Sequence, residues 1–94
     1  MARRELERIR GAILDHRYVL TEHAQEEMED DNLDVLDVES AVLTGEVEQM
    51  LTRDPRGTRY FVLGTATDRE TPVGVVLRFV ESDQVLIVTV YEPE

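Results

Sequence analysis

Val73-Gly74-Val75-Val76-Leu77-Arg78-Phe79-Val80-Glu81-Ser82-Asp83-Gln84-Val85-Leu86-Ile87-Val88-Thr89-Val90-Tyr91 is the most informative stretch of the chain. It holds two runs rich in β-branched and aromatic residues, Val73–Glu81 and Gln84–Tyr91, broken at Ser82-Asp83. Such runs bounded by turn residues read as strands, and a two-residue break reads as a tight antiparallel hairpin. That hairpin pairs Val75 with Val90 and Arg78 with Ile87. One face then carries Val75, Leu77, Phe79, Leu86, Val88 and Val90, a wholly apolar set suited to a layer of helices. The other carries Val76, Arg78, Val80, Val85, Ile87, Thr89 and Tyr91.

Working outward, Val47–Leu51 and Arg59–Thr65 read as two earlier strands. Asp54-Pro55-Arg56-Gly57 between them has the residue pattern of a type I turn. In the second of these strands Phe61 and Leu63 suit the core, which turns Tyr60, Val62 and Gly64 toward the Arg78 side. Before Gly45 the apolar period is helical instead. Leu6, Ile9 and Ile13 mark a helix over 3–15. Thr21 caps a second helix over 22–30, packed through Ala24 and Met28. Asp34 caps a third, with Val35, Val38, Ala41 and Val42 as its stripe and Gly45 as its left-handed C-terminal residue. Tyr18-Val19-Leu20 is a short extended piece. The prediction is a single α+β domain over 1–94, with N-terminal helices followed by a four-stranded antiparallel sheet.

Ninety-four residues suffice for one core in two layers. There is no cysteine, so disulfides, zinc ribbons and thiol nucleophiles are excluded. No apolar run approaches the length of a membrane span, and the first residues do not read as a signal peptide, so a cytoplasmic protein is expected. The net charge of −11 is concentrated in a block: residues 18–52 alone carry −11, while 1–17 carry +2 and 53–94 carry −2. A broad phosphate-tracking surface leaves a basic stripe. The acidic block leaves room only for a local nucleic-acid site near Arg78 or the N-terminal arginines.

Few residues carry candidate chemistry. His23, at the second helical position after Thr21, has the residue type of a general acid or base, with a capping or packing role as the alternative. Arg78, alone in an apolar strand, suits bidentate capture of a phosphate or carboxylate, with an ion pair to a neighbour as the alternative. Tyr60 and Tyr91 suit base stacking or proton donation, and Thr89 suits a hydrogen bond to a ligand oxygen. Half-buried sheet residues of these types also occur without any such role. His16 has no convergent partner in the sequence. The acids of 29–37 lack the glycine and terminal glutamate of a calcium loop, and no phosphate loop or zinc-protease motif is present. Neither a metal nor a cofactor is expected.

Tyr18-Val19-Leu20-Thr21-Glu22-His23-Ala24, Val38 through Val47, Gly64, Val75-Val76-Leu77-Arg78 and Leu86 through Pro93 together resemble an uncharacterised bacterial family, domain of unknown function 4258. The likeness runs from Tyr18 to the C-terminus. That family in turn resembles the BrnT and RelE-like toxins. The resemblance implies a RelE- or BrnT-like fold and a toxin-like component of a type II toxin–antitoxin pair, partnered by an antitoxin encoded nearby. It also implies a metal-independent endoribonuclease acting on RNA. Under it His23, Arg78 and Tyr91 become the catalytic candidates, with Tyr60 and Thr89 as substrate-binding ones. A non-catalytic protein-interaction module of the same fold, or one kept for homo-oligomerisation, is the alternative that the acidity favours.

Overall fold

In the computed structural model, which describes residues 3–93, three helices precede most of the sheet. The elements are α1 (Arg3–Leu14), β1 (Tyr18–Leu20), α2 (Glu22–Asp30), α3 (Val35–Thr44), β2 (Glu46–Leu51), β3 (Arg59–Thr65), β4 (Pro72–Val80) and β5 (Gln84–Tyr91), with a 3-10 turn over Glu81–Asp83. The fold is α+β, as expected. The sheet is five-stranded and mixed, however, in the order β1-β5-β4-β3-β2. The added strand is Tyr18-Val19-Leu20, which runs parallel to β5. Three residues show no alternation that would mark them as a strand; only the exposed edge of β5 makes them one.

That edge is closed piece by piece. Val85 donates its N–H to the Arg17 carbonyl, Thr21 donates to the carbonyls of Ile87 and Val88, and the Glu27 carboxylate accepts the N–H of Val90 at 3.0 Å. A sheet edge left open is an aggregation template. Here one continuous segment, from the end of α1 through the first turns of α2, covers it. Thr21 is the predicted cap, accepting from the Ala24 N–H. Asp34 and Asp37 form a capping box at α3.

Two register features depart from the sequence reading. The β4–β5 turn has three residues, Glu81–Asp83, and Asp83 takes the left-handed conformation at φ 59° that such turns require. The extra residue pairs Arg78 with Leu86 rather than Ile87, until a bulge at Val88 restores the expected pairing of Val76 with Thr89 and Val75 with Val90. In β5, therefore, Val85, Ile87 and Val90 enter the core, while Leu86 and Val88 turn to the other face. In β4, Val75 and Leu77 are buried as expected, and Phe79 packs at the core margin.

The second departure is in β3. Tyr60 and Val62 are the buried residues, opposite Leu77 and Val75, and Phe61 and Leu63 face outward. Gly64 is the reason. It lies on the helix side, where a Cβ would collide with the Ala41 carbonyl and the Gly45 backbone. Only a glycine lets α3 approach the sheet this closely. Gly45 is extended (φ −91°) rather than left-handed. Its constraint is also steric, since a Cβ would stand 2.5 Å from the Ala41 oxygen.

The three helices lie on one face, sending Ile9, Ile13, Met28, Val38 and Val42 against Val62, Leu77 and Ile87. Arg10 ties α1 to the end of α3 through the carbonyls of Val42 and Gly45, where a cation also meets the negative helix terminus. Arg8 stacks on Phe79 and pairs with Asp83. Tyr18 donates its hydroxyl to Glu39 of α3, and burial, with help from that carboxylate, pushes its pKa up to about 12. Among the described residues no helix is long and apolar enough to cross a membrane.

Two measurements check this architecture. Gly64→Ala should destabilise the protein by about 2–3 kcal/mol, because the clash is with backbone that cannot rotate away; an unchanged denaturation midpoint would refute the close approach. The Tyr18 contribution to stability is full below the ordinary tyrosine range and disappears as pH rises through about 12. A tyrosinate absorbance titration should show late-ionising tyrosines, of which Glu39→Gln brings down only Tyr18.

Candidate functional site on the open sheet face

The face turned away from the helices is built from alternate residues of β3, β4 and β5. It runs from Arg59 and Arg78 at one end, through Phe61, Val76 and Thr89, to Gly74 and Tyr91 at the other. Tyr91 lies across Gly74, where a Cβ would collide with its ring. This glycine is what lets an aromatic plane lie flat on the strand. Val76 beneath is only 4% exposed although no helix covers it. Arg78 and Gly74 are four residues apart on β4, a separation of about 13 Å at the rise of a strand.

Arg78 lies in a cleft of about 140 Å³ that it shares with Thr21, Asp54, Arg56, Arg59, Leu86 and Val88. Its Nη1 donates to the Arg56 carbonyl at 3.1 Å, and among the described residues no carboxylate pairs with it. The expected alternative of an ion pair is thus absent there. Arg59 is its direct cross-strand partner. Asp54 takes Arg59 Nε at 2.7 Å, Arg56 Nε at 3.4 Å and the Arg56 backbone N–H at 2.9 Å. That backbone bond, together with the Arg59 guanidinium, holds the Asp54 carboxyl at about 2, well below the usual range.

His23 is 67% exposed on the first turn of α2. Its Nε2 lies 3.4 Å from Glu27 Oε1, the same oxygen that takes the Val90 N–H. His23 is therefore tied through one carboxylate to the β5 backbone, between Thr89 and Tyr91. Two residues before it, Thr21 lines the Arg78 cleft. The start of α2 therefore lies along the β5 edge, bonded at Val88 through Thr21 and at Val90 through Glu27, and the histidine is exposed beside that edge.

The five residues singled out from sequence divide accordingly. Arg78, Thr89 and Tyr91 share the open face, and the Val88 bulge returns Thr89 and Tyr91 to the places opposite Val76 and Gly74 that the two-residue turn implied, while Leu86 replaces Ile87 opposite Arg78. His23 stands outside it, exposed at the β5 edge beside Glu27, and does not line the Arg78 cleft. Tyr60 does not belong to it: its ring is buried on the helix side in edge-on contact with Phe79, and burial raises its pKa. Sequence reasoning missed Arg59, Arg56 and Glu27. The inverted parity of β3 hid Arg59, and Gly64 was the signal that could have corrected it. Among the described residues no group of three or more His, Asp or Glu side chains could hold a metal ion.

No curated protein and no solved structure matches this chain. The family model of a domain of unknown function, DUF4258, matches residues 20–92, which takes in Leu20 of β1, the capped α2 with His23, α3, and strands β2 to β5 with Arg78. The chain is a member of the DUF4258 family.

Proposed function

We propose that this protein is the toxin-like component of a bacterial toxin–antitoxin pair, akin to the BrnT and RelE-like toxins, and that its open sheet face binds and cleaves RNA. The observation that carries the reading is Arg78, a guanidinium without a carboxylate partner among the described residues, in a cleft also lined by Thr21, two residues before His23. Cleavage of RNA without a cofactor needs a base for the ribose 2′-hydroxyl and a cation for the charge that develops on phosphorus. His23 is the base, oriented by Glu27. The 2′-oxygen forms its bond to phosphorus as its proton passes to His23. The bond from phosphorus to the 5′-oxygen breaks, and that oxygen takes a proton from solvent. The products are a 2′,3′-cyclic phosphate and a 5′-hydroxyl. Arg78 stabilises the phosphorane, and Thr89 supplies a hydrogen bond to a neighbouring oxygen. Tyr91, about 13 Å along β4 from Arg78, serves as a stacking platform for an adjacent base.

A second reading, a non-catalytic module that binds a basic protein, is favoured by one observation. The chain carries −11, and Val19 at the β1 edge is 48% exposed beside the outward-facing Leu86. Growth arrest on expression, with and without the neighbouring gene, and cleavage of RNA in vitro separate the two. Arg78→Ala should lower cleavage about a hundredfold or more with the fold kept, since its only described hydrogen bond is to one loop carbonyl. His23→Ala should lower it similarly. Tyr91→Phe should be mild, because the ring over Gly74 remains, and Tyr91→Ala should weaken binding. The salt dependence of RNA binding should correspond to about two or three phosphates. An inactive parent protein, or full activity in Arg78→Ala and His23→Ala, would transfer the assignment to the binding module.

A further inference from the structure

Three of the ten arginines, Arg56, Arg59 and Arg78, meet in one cleft with a single carboxylate, Asp54, in a chain holding 21 acids. Acids outnumber arginines about two to one in the sequence, yet here the ratio is reversed. Arg59 and Arg78 are also directly paired across β3 and β4 on the same face. Like charges so placed repel, and a protein this rich in acid has many carboxylates with which to relieve that repulsion. Among the described residues only Asp54 does so, and it serves Arg59 and Arg56 while leaving Arg78 to a carbonyl. The cleft therefore keeps an excess of positive charge.

The same Asp54, Arg56 and Arg59 form one wall of a second, larger hollow of about 520 Å³, whose other walls include Met50, Leu51 and Pro55. Met50 and Leu51, consecutive at the end of the β2 edge strand, are 42% and 38% exposed and give the hollow apolar walls. Ligand pockets combine such apolar walls with a few fixed polar groups. A cationic cleft opening through a shared wall onto an apolar hollow fits a ligand with an anionic group at one end and a flat ring at the other.

We propose that this junction is a nucleotide subsite in which a phosphate replaces the Asp54 carboxylate on Arg59, gains Arg78, and directs its base into the hollow against Met50, Leu51 and Pro55. Asp54 is then a resident competitor that keeps the arginines ordered and neutralised when no ligand is bound. The subsite deepens the RNA reading by naming where the nucleotide that carries the cleaved phosphate places its base, and it rests on that reading for the polymer to which the nucleotide belongs.

The test follows amide and guanidinium NMR signals of the full chain during titration with adenosine 5′-monophosphate, inorganic phosphate and adenosine. The monophosphate should bind at least about tenfold tighter than either fragment. Asp54→Asn keeps an acceptor for the Arg56 N–H and removes the charge, and should tighten the monophosphate by about tenfold. Arg59→Gln should weaken the monophosphate and phosphate alike, and Leu51→Ser should weaken the monophosphate but not phosphate. Equal affinity for adenosine and its monophosphate would overturn the subsite. So would unchanged or weaker binding by Asp54→Asn in a protein whose amide spectrum remains native. A parent protein that binds in the expected pattern but leaves RNA intact supports the subsite and removes the endoribonuclease. A parent that cleaves RNA without this pattern overturns the subsite alone.

Discussion

The bulge at Val88 is the constraint on which the rest of the open face depends. The three-residue turn before β5 shifts the hairpin by one position, and uncorrected it would carry Thr89 and Tyr91 into the helix layer and expose Val90. One extra residue at Val88 cancels the shift halfway along the strand. The strand thus buries Val85 and Ile87 on one side of the bulge and Val90 on the other. It also turns the Val88 carbonyl toward the Thr21 hydroxyl, which anchors the start of α2. The return of Val90 to the core and the placing of Thr89 and Tyr91 on the face of Arg78 are both set by that single insertion.

Charge is distributed in keeping with this geometry. The acidic block of residues 18–52 falls on α2, α3 and β2, while the arginines of the open face come from β4 and from the loop and strand after residue 52. The N-terminal arginines are largely committed elsewhere, Arg8 to Phe79 and Asp83, Arg10 to the end of α3, and Arg17 to Asp15 and the Asp83 carbonyl. The long-range field of the molecule therefore repels a polyanion, and only short-range contacts in the Arg78 cleft attract one. Such a surface selects against non-specific nucleic-acid binding, since the screened repulsion is felt by any RNA and the local attraction only by one that is correctly docked.

Much of the fold was legible because it rests on local chemistry. The caps at Thr21 and Asp34 and the β4 parity that buries Leu77 and exposes Arg78 all follow from residue type and spacing. What was not legible depends on contacts distant in sequence. Tyr18-Val19-Leu20 becomes a strand only because β5 presents an edge, and nothing in three residues announces a parallel partner 67 positions away. The β3 inversion is of a different kind. Tyr60 and Phe61 are both aromatic, Val62 and Leu63 both aliphatic, so the alternation has no polar phase to read. Gly64 breaks the tie, but only once it is known which helix must come close.

The candidate site was legible in the same uneven way. Arg78 stood out because it is the one charge in an apolar run. Its neighbours did not, because Arg59 and Asp54 lie at a strand start and in a turn, where charged residues are ordinary. A turn signature reads as complete once Asp, Pro and Gly occupy their places, and this conceals a further role for Asp54. The structure shows both at once: Oδ1 of Asp54 fixes the turn through the Arg56 N–H, while Oδ2 takes the Arg59 guanidinium across the cleft from Arg78. A turn aspartate needs only the first of these contacts to do its structural work. The second leaves one carboxylate oxygen where an external anion on Arg59 and Arg78 would have to bind, so the shape of the loop and the occupancy of the cleft are coupled through a single side chain.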